Sequence, residues 1–555
     1  MSPGWRGPSR RGVLAAGSAA ALGWLTGCER RAPAFEGGWV GASVERGHLL
    51  KSGPPAGKSG SAAAPDATRR AGAIVVGGGI AGLAAARALI RAGVDDVRLL
   101  ELEDRAGGNS RGHVLGGMRC PLGAHYLPTP GPGATEVIEL LEELGVRKTV
   151  QGRPAYDERM LCHSPQERLF IDGAWREGLL PPIEALPAEE RAPTLAAYRA
   201  FAAAVAEVGG AGAFEIPTAR SRWTPALAEL DAVTFAAWLD GRGLVAPALR
   251  WYLDYCCRDD YGAGAAQVSA WAGLHYFASR HGFDAPGEGE GGAPAADAGD
   301  GVLTWPEGNA WLAERLAAPL GERLLAGRVA LRIREGRDAV EIDAWNAAAG
   351  AAERWSAPRV VVATPLFVAA RLLESPPAAL PVAVAAMRHA PWLVANLQLD
   401  AALDDRPGAP PSWDNVPYGS AALGYVDAMH QSTRPVAGPT VLTAYWALGG
   451  QTAAELAEQR ARLLSEDWRP WADRVVADLA TMHPDLPGKV RRVELMRYGH
   501  AMSIPLPGLR GSAALQALAA PQKRVQFGHA DLSAYSVFEE AFFQGTQAGR
   551  MAARN

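Results

Sequence analysis

Residues 73–108 read AIVVGGGIAGLAAARALIRAGVDDVRLLELEDRAGG. Ala73–Val76 is a short apolar run rich in β-branched residues, which predicts a buried strand. It ends at Gly77-Gly78-Gly79, and Ile80–Ala92 continues as an alanine-rich helix. A second apolar run, Val97–Leu100, ends in Glu101. This is the β-α-β context that gives a G-x-G-x-x-G pattern meaning as a dinucleotide site. Gly77 permits a tight turn off the strand, Gly79 lets the backbone approach a pyrophosphate, and Gly82 lets the helix pack close to the sheet. The first helical residues, Ile80 and Ala81, present unpaired N–H groups and the positive end of the helix dipole to the phosphates. Glu101 is placed to accept both hydroxyls of an adenosine ribose.

The residues that follow choose between nicotinamide and flavin. Asp104-Arg105-Ala106-Gly107-Gly108 resembles the D-R-x-G-G stretch of the flavin amine oxidase superfamily, and Leu122-Gly123-Ala124-His125 resembles its L-G-A-H segment. Three further segments in the same order are similar to that family. They are Val302–Asn309 with the strand carrying Val329, the run Val360-Val361-Val362-Ala363-Thr364-Pro365, and the C-terminal stretch from Gly528 to Val537. The resemblance implies FAD. Arg105, Gly107, Gly108 and Asn109 would lie along its pyrophosphate and ribityl chain, Gly123, Ala124 and His125 beside the isoalloxazine, and Val329 at the adenine. At the C-terminal end it implies contacts from Gly528, from Asp531 to the ribityl chain, and from Ser536 and Val537 to the flavin pyrimidine. The chain departs from the family in three places. Asn109 follows the glycine pair where arginine is usual, with Arg111 two residues on. His529 stands where the family has an acid. Asn396 stands where most amine oxidases carry a lysine near flavin N5, and none of the five lysines is nearby in sequence.

The implied fold class is α/β: a discontinuous Rossmann-like FAD-binding domain with an α+β substrate domain, an amine oxidase and glutathione reductase type of two-domain architecture. FAD-binding segments are expected at 71–125, 301–390 and 496–555, and substrate-domain segments at 126–300, mostly helical with a loop at 282–301, and at 391–495. Before them, residues 29–70 are rich in Gly, Ala, Pro and Ser and suit a flexible tether. Residues 1–28 combine Ser9-Arg10-Arg11, similar to a twin-arginine signal, with an apolar stretch and Leu25-Thr26-Gly27-Cys28, similar to a lipobox. Together they predict export in the folded state to the periplasm or cell envelope, and membrane contact only through lipid on Cys28. The remaining cysteines fit no zinc spacing, so no metal is expected.

A net charge of −4 over 555 residues offers no basic footprint for nucleic acid. The resemblance implies a small-molecule substrate, from which the family removes a hydride at a C–H beside nitrogen or in an allylic position. Candidate catalytic residues are Asn396 in the lysine's place, Tyr535 and Tyr498 as aromatic walls, with Trp446 an alternative to Tyr498, and His275 in the aromatic helix Ser269–Phe277. Asp259 or Asp260 offers a carboxylate for a cationic amine; a capped helix end and a core-facing aromatic stripe explain the same residues without a pocket. Three functions follow: an oxidase of amines or polyamines using oxygen, an FAD desaturase or dehydrogenase passing electrons to a membrane acceptor, and a non-catalytic flavin-binding envelope protein.

Overall fold

The computed structural model describes residues 35–53, 68–210, 212–286, 301–434, 436–450 and 452–554. The expected export signal, Cys28 included, lies outside the described residues, as do positions 54–67 of the tether and 287–300 of the glycine-rich loop. Among the described residues, no helix is long and apolar enough to cross a membrane.

The opening stretch folds as its periodicity requires. Ala73–Val76 and Val97–Leu100 pair in parallel, joined by the helix Ile80–Arg91. Leu324–Leu325, Val360–Val362 and Val525–Phe527 complete a five-stranded sheet gathered from distant parts of the chain. Its central strand is apolar throughout because both faces are covered. Ala73 and Val75 face one hydrophobic cluster, while Ile74 and Val76 face another that includes Ile333 and Ile342 of a neighbouring four-stranded sheet. Each fully buried Val or Ile contributes roughly 1.5–3 kcal/mol. The C-terminal helix Phe538–Arg554 lies against Ile80–Arg91 at backbone contact: a Cβ on Gly545 would sit 1.9 Å from the Ala81 carbonyl oxygen, and one on Gly549 2.5 Å from that of Ala85.

The second body is an eight-stranded sheet with a helical layer. Three neighbouring strands form its middle: Val490–Ser503, His389–Leu399 and Thr440–Ala447, all antiparallel. The Asp172-Gly173 turn joins Glu167–Ile171 to Ala174–Glu177 at one edge, with both turn residues at positive φ, 51° and 72°. The helices Ala188–Val208, Phe235–Gly241, Pro247–Tyr261 and Ala270–Tyr276 pack into the cluster that also holds Trp392 and Tyr445 of the sheet.

Two expectations need correction. The stretch 29–70 is not a plain tether, because Glu36–Trp39 adds a parallel edge strand to Val490–Ser503, Val44–Ser52 is a helix and Thr68–Arg70 is a strand. Burial of Phe35, with Arg469 4.0 Å over its ring, and close backbone approach at Gly37 hold that edge strand. The domain boundary expected between 495 and 496 falls inside the strand Val490–Ser503, which belongs wholly to the eight-stranded sheet.

Candidate active site

At the C-terminal edge of the parallel sheet, two glycine loops meet. Gly107 N–H donates to the Gly78 carbonyl at 2.7 Å, and a Cβ on Gly108 would lie 3.1 Å from the Cα of Gly79. Gly77 turns at φ +101°, and a Cβ on Gly82 would overlap its carbonyl oxygen at 1.8 Å. The helix Ile80–Arg91 opens on Gly79 with no side-chain cap, so its first N–H groups stay available. Glu101 is buried, and its carboxylate accepts from Gly78 N–H at 2.7 Å and Glu103 N–H at 2.8 Å. Burial raises its pKa, and the two backbone donors oppose that rise. Arg328 N–H donates to the Glu101 backbone carbonyl at 2.8 Å, which ties the start of the strand carrying Val329 to the end of Val97–Leu100. The buried Thr364 hydroxyl, just past the strand Val360–Val362, has no partner among the described residues. A side-chain-free cradle, an uncapped helix start, a buried acid and an unpaired hydroxyl fit the adenosine and pyrophosphate of FAD.

Arg105 is exposed on the same loop. Asn109 donates its amide N–H to the Ala501 carbonyl at 2.7 Å and accepts Ala124 N–H at its own carbonyl. Arg111 places its positive charge near the buried Glu101 carboxylate, whose burial-raised pKa it pulls down. Its guanidinium is spent on the Gly108 and Gly41 carbonyls, which fastens the N-terminal segment onto the loop.

The flavin end is a half-open cavity between the two bodies of the fold. Asn109, Gly123 and Ala124 line one wall, and Ser536, Val537 and Phe538 line another at the start of the C-terminal helix. Trp392, Tyr445 and Tyr498 supply aromatic surface, all from the middle strands of the eight-stranded sheet. His125 stacks on Tyr445 with centroids 4.3 Å apart, and burial pushes its pKa down to about 3, so it is neutral.

Four charged residues close the far wall: Asp259, Asp260, Arg280 and Glu539. Asp259 and Asp260 end the helix Pro247–Tyr261, while Arg280 comes from the π turn Phe277–His281. Arg280 lies 3.6 Å from Asp260 and 3.8 Å from Glu539, and Tyr535 donates its hydroxyl to Asp260 at 2.8 Å. Asp259 has no hydrogen bond or ion pair among the described residues. Burial away from outside solvent, then the charge of Asp260, push its pKa up to about 7, against the pull of Arg280 and Arg258. Burial likewise raises Glu539.

Several expected site residues lie elsewhere. Asn396 is fully buried, donating to the Pro121 carbonyl at 3.0 Å and accepting from the Thr443 hydroxyl at 2.7 Å, so neither end of its amide reaches the cavity. His275 points to the Glu215 carbonyl at 3.0 Å, and burial pushes its pKa down to about 3; it packs on Trp271 and Tyr535 behind the wall. Tyr535 is itself part of that wall's backing, with 3% of its surface exposed. Of the four catalytic candidates only Tyr498 lines the cavity. Trp446 joins the hydrophobic cluster on the opposite face of the sheet from Tyr445.

Asp531 also needs correction. Its carboxylate caps the helix Leu366–Leu372 by accepting Leu366 N–H at 2.9 Å, and lies 3.0 Å from His389 Nε2. Burial would raise it, but the His529 and His389 imidazoles outweigh that and hold it far below the usual carboxylate range. Fully buried, it has no surface left for a ribityl chain. His529, at the end of the edge strand Val525–Phe527, is partly exposed and accepts Asp531 N–H at Nδ1. Gly528 allows that strand to approach the C-terminal helix, since its Cβ would sit 2.7 Å from that of Ala548.

Sequence reasoning missed Trp392, Tyr445, Arg280 and the cavity role of Glu539. Strand alternation contained part of the signal, because Trp392 and Val394 share the inward face, with Tyr445 directly opposite Val394. Arg280 stands beside a patternless glycine-rich stretch and gave none.

A family model described as flavin containing amine oxidoreductase matches residues 80–552. Among curated proteins, none matches the chain. Among solved structures, the chain is similar to putrescine oxidase bound to putrescine (17% identity, TM-score 0.59), covering 87% of this chain and 99% of that one. It is similar to cyclohexylamine oxidase from Brevibacterium oxydans IH-35A (18%, TM-score 0.61), covering 87% and 98%. It is also similar to a fatty acid isomerase from P. acnes (16%, TM-score 0.55), covering 86% and 97%.

Proposed function

The chain belongs to the flavin-containing amine oxidoreductase family and uses FAD, and on that premise we propose that its substrate is an amine bound as an ammonium ion at Asp259. The observation that carries this reading is the unpaired carboxylate in the cavity wall. One guanidinium, Arg280, faces three acids there, so the wall is short of positive charge. A substrate cation supplies it, and a charge-assisted bond in a desolvated site is among the stronger polar contacts.

FAD, when bound, supplies the two-electron acceptor for the C–H bond beside nitrogen. The protein's residues do the rest. Trp392, Tyr445 and Tyr498 exclude water and offer ring faces to a cation. Neutral His125 adds no positive charge to compete with the substrate. Asp259, with its pKa near 7, takes the proton that the ammonium must lose before the C–H bond is oxidised, onto a carboxylate oxygen. Oxygen is the proposed final acceptor, with peroxide as product. Export and lipid attachment at Cys28 complete the proposal, and a Cys28→Ser chain that still takes up labelled palmitate would remove that part.

The test is anaerobic addition of mono-, di- and polyamines to the FAD-loaded protein. Bleaching of the flavin band by an amine, with peroxide on readmitting air, supports the reading. Bleaching by none of them, with the band intact, moves the assignment to the dehydrogenase or desaturase class.

A further inference from the structure

Three successive backbone carbonyls beside the cavity are each taken by a side chain from one sheet face. Pro121 O accepts from Asn396 Nδ2 at 3.0 Å, Leu122 O from the Tyr498 hydroxyl at 2.8 Å, and Gly123 O from the Tyr445 hydroxyl at 3.0 Å. The donors stand on the three middle strands of the eight-stranded sheet. Its register puts Tyr498 opposite Trp392, Tyr445 opposite Val394 and Thr443 opposite Asn396, so all of them share the inward face. In a regular strand neighbouring carbonyls point to opposite sides and are met by a ladder. Here side chains from the substrate body meet three in a row.

We propose that Asn396, Tyr498 and Tyr445 are positioning residues that clamp the Pro121–Gly123 backbone, and so set where the flavin-facing wall stands relative to the substrate cavity. The opposite edge of the same segment is held within the cofactor body: Leu122 N–H donates to the Arg111 carbonyl and Ala124 N–H to the Asn109 carbonyl. Gly123 is pressed against that body, since its Cβ would lie 2.3 Å from the Asn109 carbonyl oxygen. The segment is therefore gripped from both sides, and its placement depends on the two bodies keeping their register. Thr443 supports the clamp by donating to Asn396 Oδ1, which leaves the amide N–H toward Pro121 as the only productive orientation. Asn396 thereby has a task unrelated to that of a cavity lysine. The tyrosines show the cavity their rings, because their hydroxyl protons are committed to the backbone.

The inference rests on family membership and FAD binding, not on an amine substrate, so it is tested without one. In the FAD-loaded Tyr445→Phe/Tyr498→Phe protein, the visible circular dichroism of the flavin should change. Its FAD dissociation constant should rise about three- to tenfold, a fraction of what two hydrogen bonds are worth, because neither bond is made to FAD itself. Parental flavin dichroism together with parental FAD affinity, even with a lowered melting temperature, would reduce the trio to ordinary packing. If the double variant does not fold, Tyr498→Phe alone and the near-isosteric Asn396→Leu, which removes the donor to Pro121, carry the same two readouts and the same criterion.

Discussion

The two ends of the cleft are built by opposite means. At the pyrophosphate end the protein works by omission: Gly77, Gly82 and Gly108 stand where a Cβ would press on backbone, and the helix Ile80–Arg91 is left uncapped. At the substrate end it works by burial of charge, with Asp259, Asp260 and Glu539 around one guanidinium. The first end is a shape that local sequence can write. The second is an electrostatic imbalance assembled from a helix end, a π turn and the C-terminal helix, which only tertiary packing brings together. The cofactor end should therefore fail when volume is added, and the substrate end when charge is changed.

The largest effect is expected from Gly82→Val. Its Cβ would fall 1.8 Å from the Gly77 carbonyl oxygen, so the variant should lose about 3 kcal/mol or more of stability and its flavin as well. Thermal unfolding and the flavin-to-protein absorbance ratio check this. Tyr535→Phe comes next. It deletes the hydroxyl donor to buried Asp260 and should cost about 1–3 kcal/mol while leaving the flavin bound, which would separate the two ends.

A third comparison uses pH. Asp259 is raised to about 7 in the folded protein from an ordinary 3.8. Its contribution to stability is therefore full below the unfolded pKa and is lost as pH rises through about 7. Asp259→Asn should flatten the fall in melting temperature over that window and add on the order of 1 kcal/mol on its alkaline side. Glu167, raised to about 7, and Glu540, raised to about 6, keep part of the slope. The smallest effect belongs to the surface. Arg46→Ala removes an ion pair with Asp104, whose side chain is 81% exposed, and should change stability by less than about 1 kcal/mol.

What could be read from the chain follows the same division. The strand Ala73–Val76, the glycine turn and the helix after it were legible because they obey short-range rules of period and steric room. The family segments at Asp104–Gly108 and Leu122–His125 were legible as motifs. Asn396 misled because alignment with a lysine fixes a position but not the direction of an amide, which Thr443 and Pro121 decide. Asp531 misled by one short turn, where a buried acid was worth more as a helix cap than as a cofactor contact. Tyr445 and Trp392 required strand parity, and Arg280 required the fold itself. The stretch at 35–53 read as linker because four of its contacts, through Trp39, Gly41, Ser43 and Arg46, are with residues far along the chain.

The most direct test of the amine site is the affinity of the FAD-loaded protein for putrescine, measured anaerobically by flavin difference spectra at several pH values in wild type and Asp259→Asn. An ionised Asp259 paired with an ammonium predicts that wild-type affinity falls about tenfold per pH unit on the acid side of about 7. The variant should bind about a hundredfold more weakly, with little dependence on pH. Equal affinity and an equal pH profile in the two proteins would contradict the assignment of Asp259.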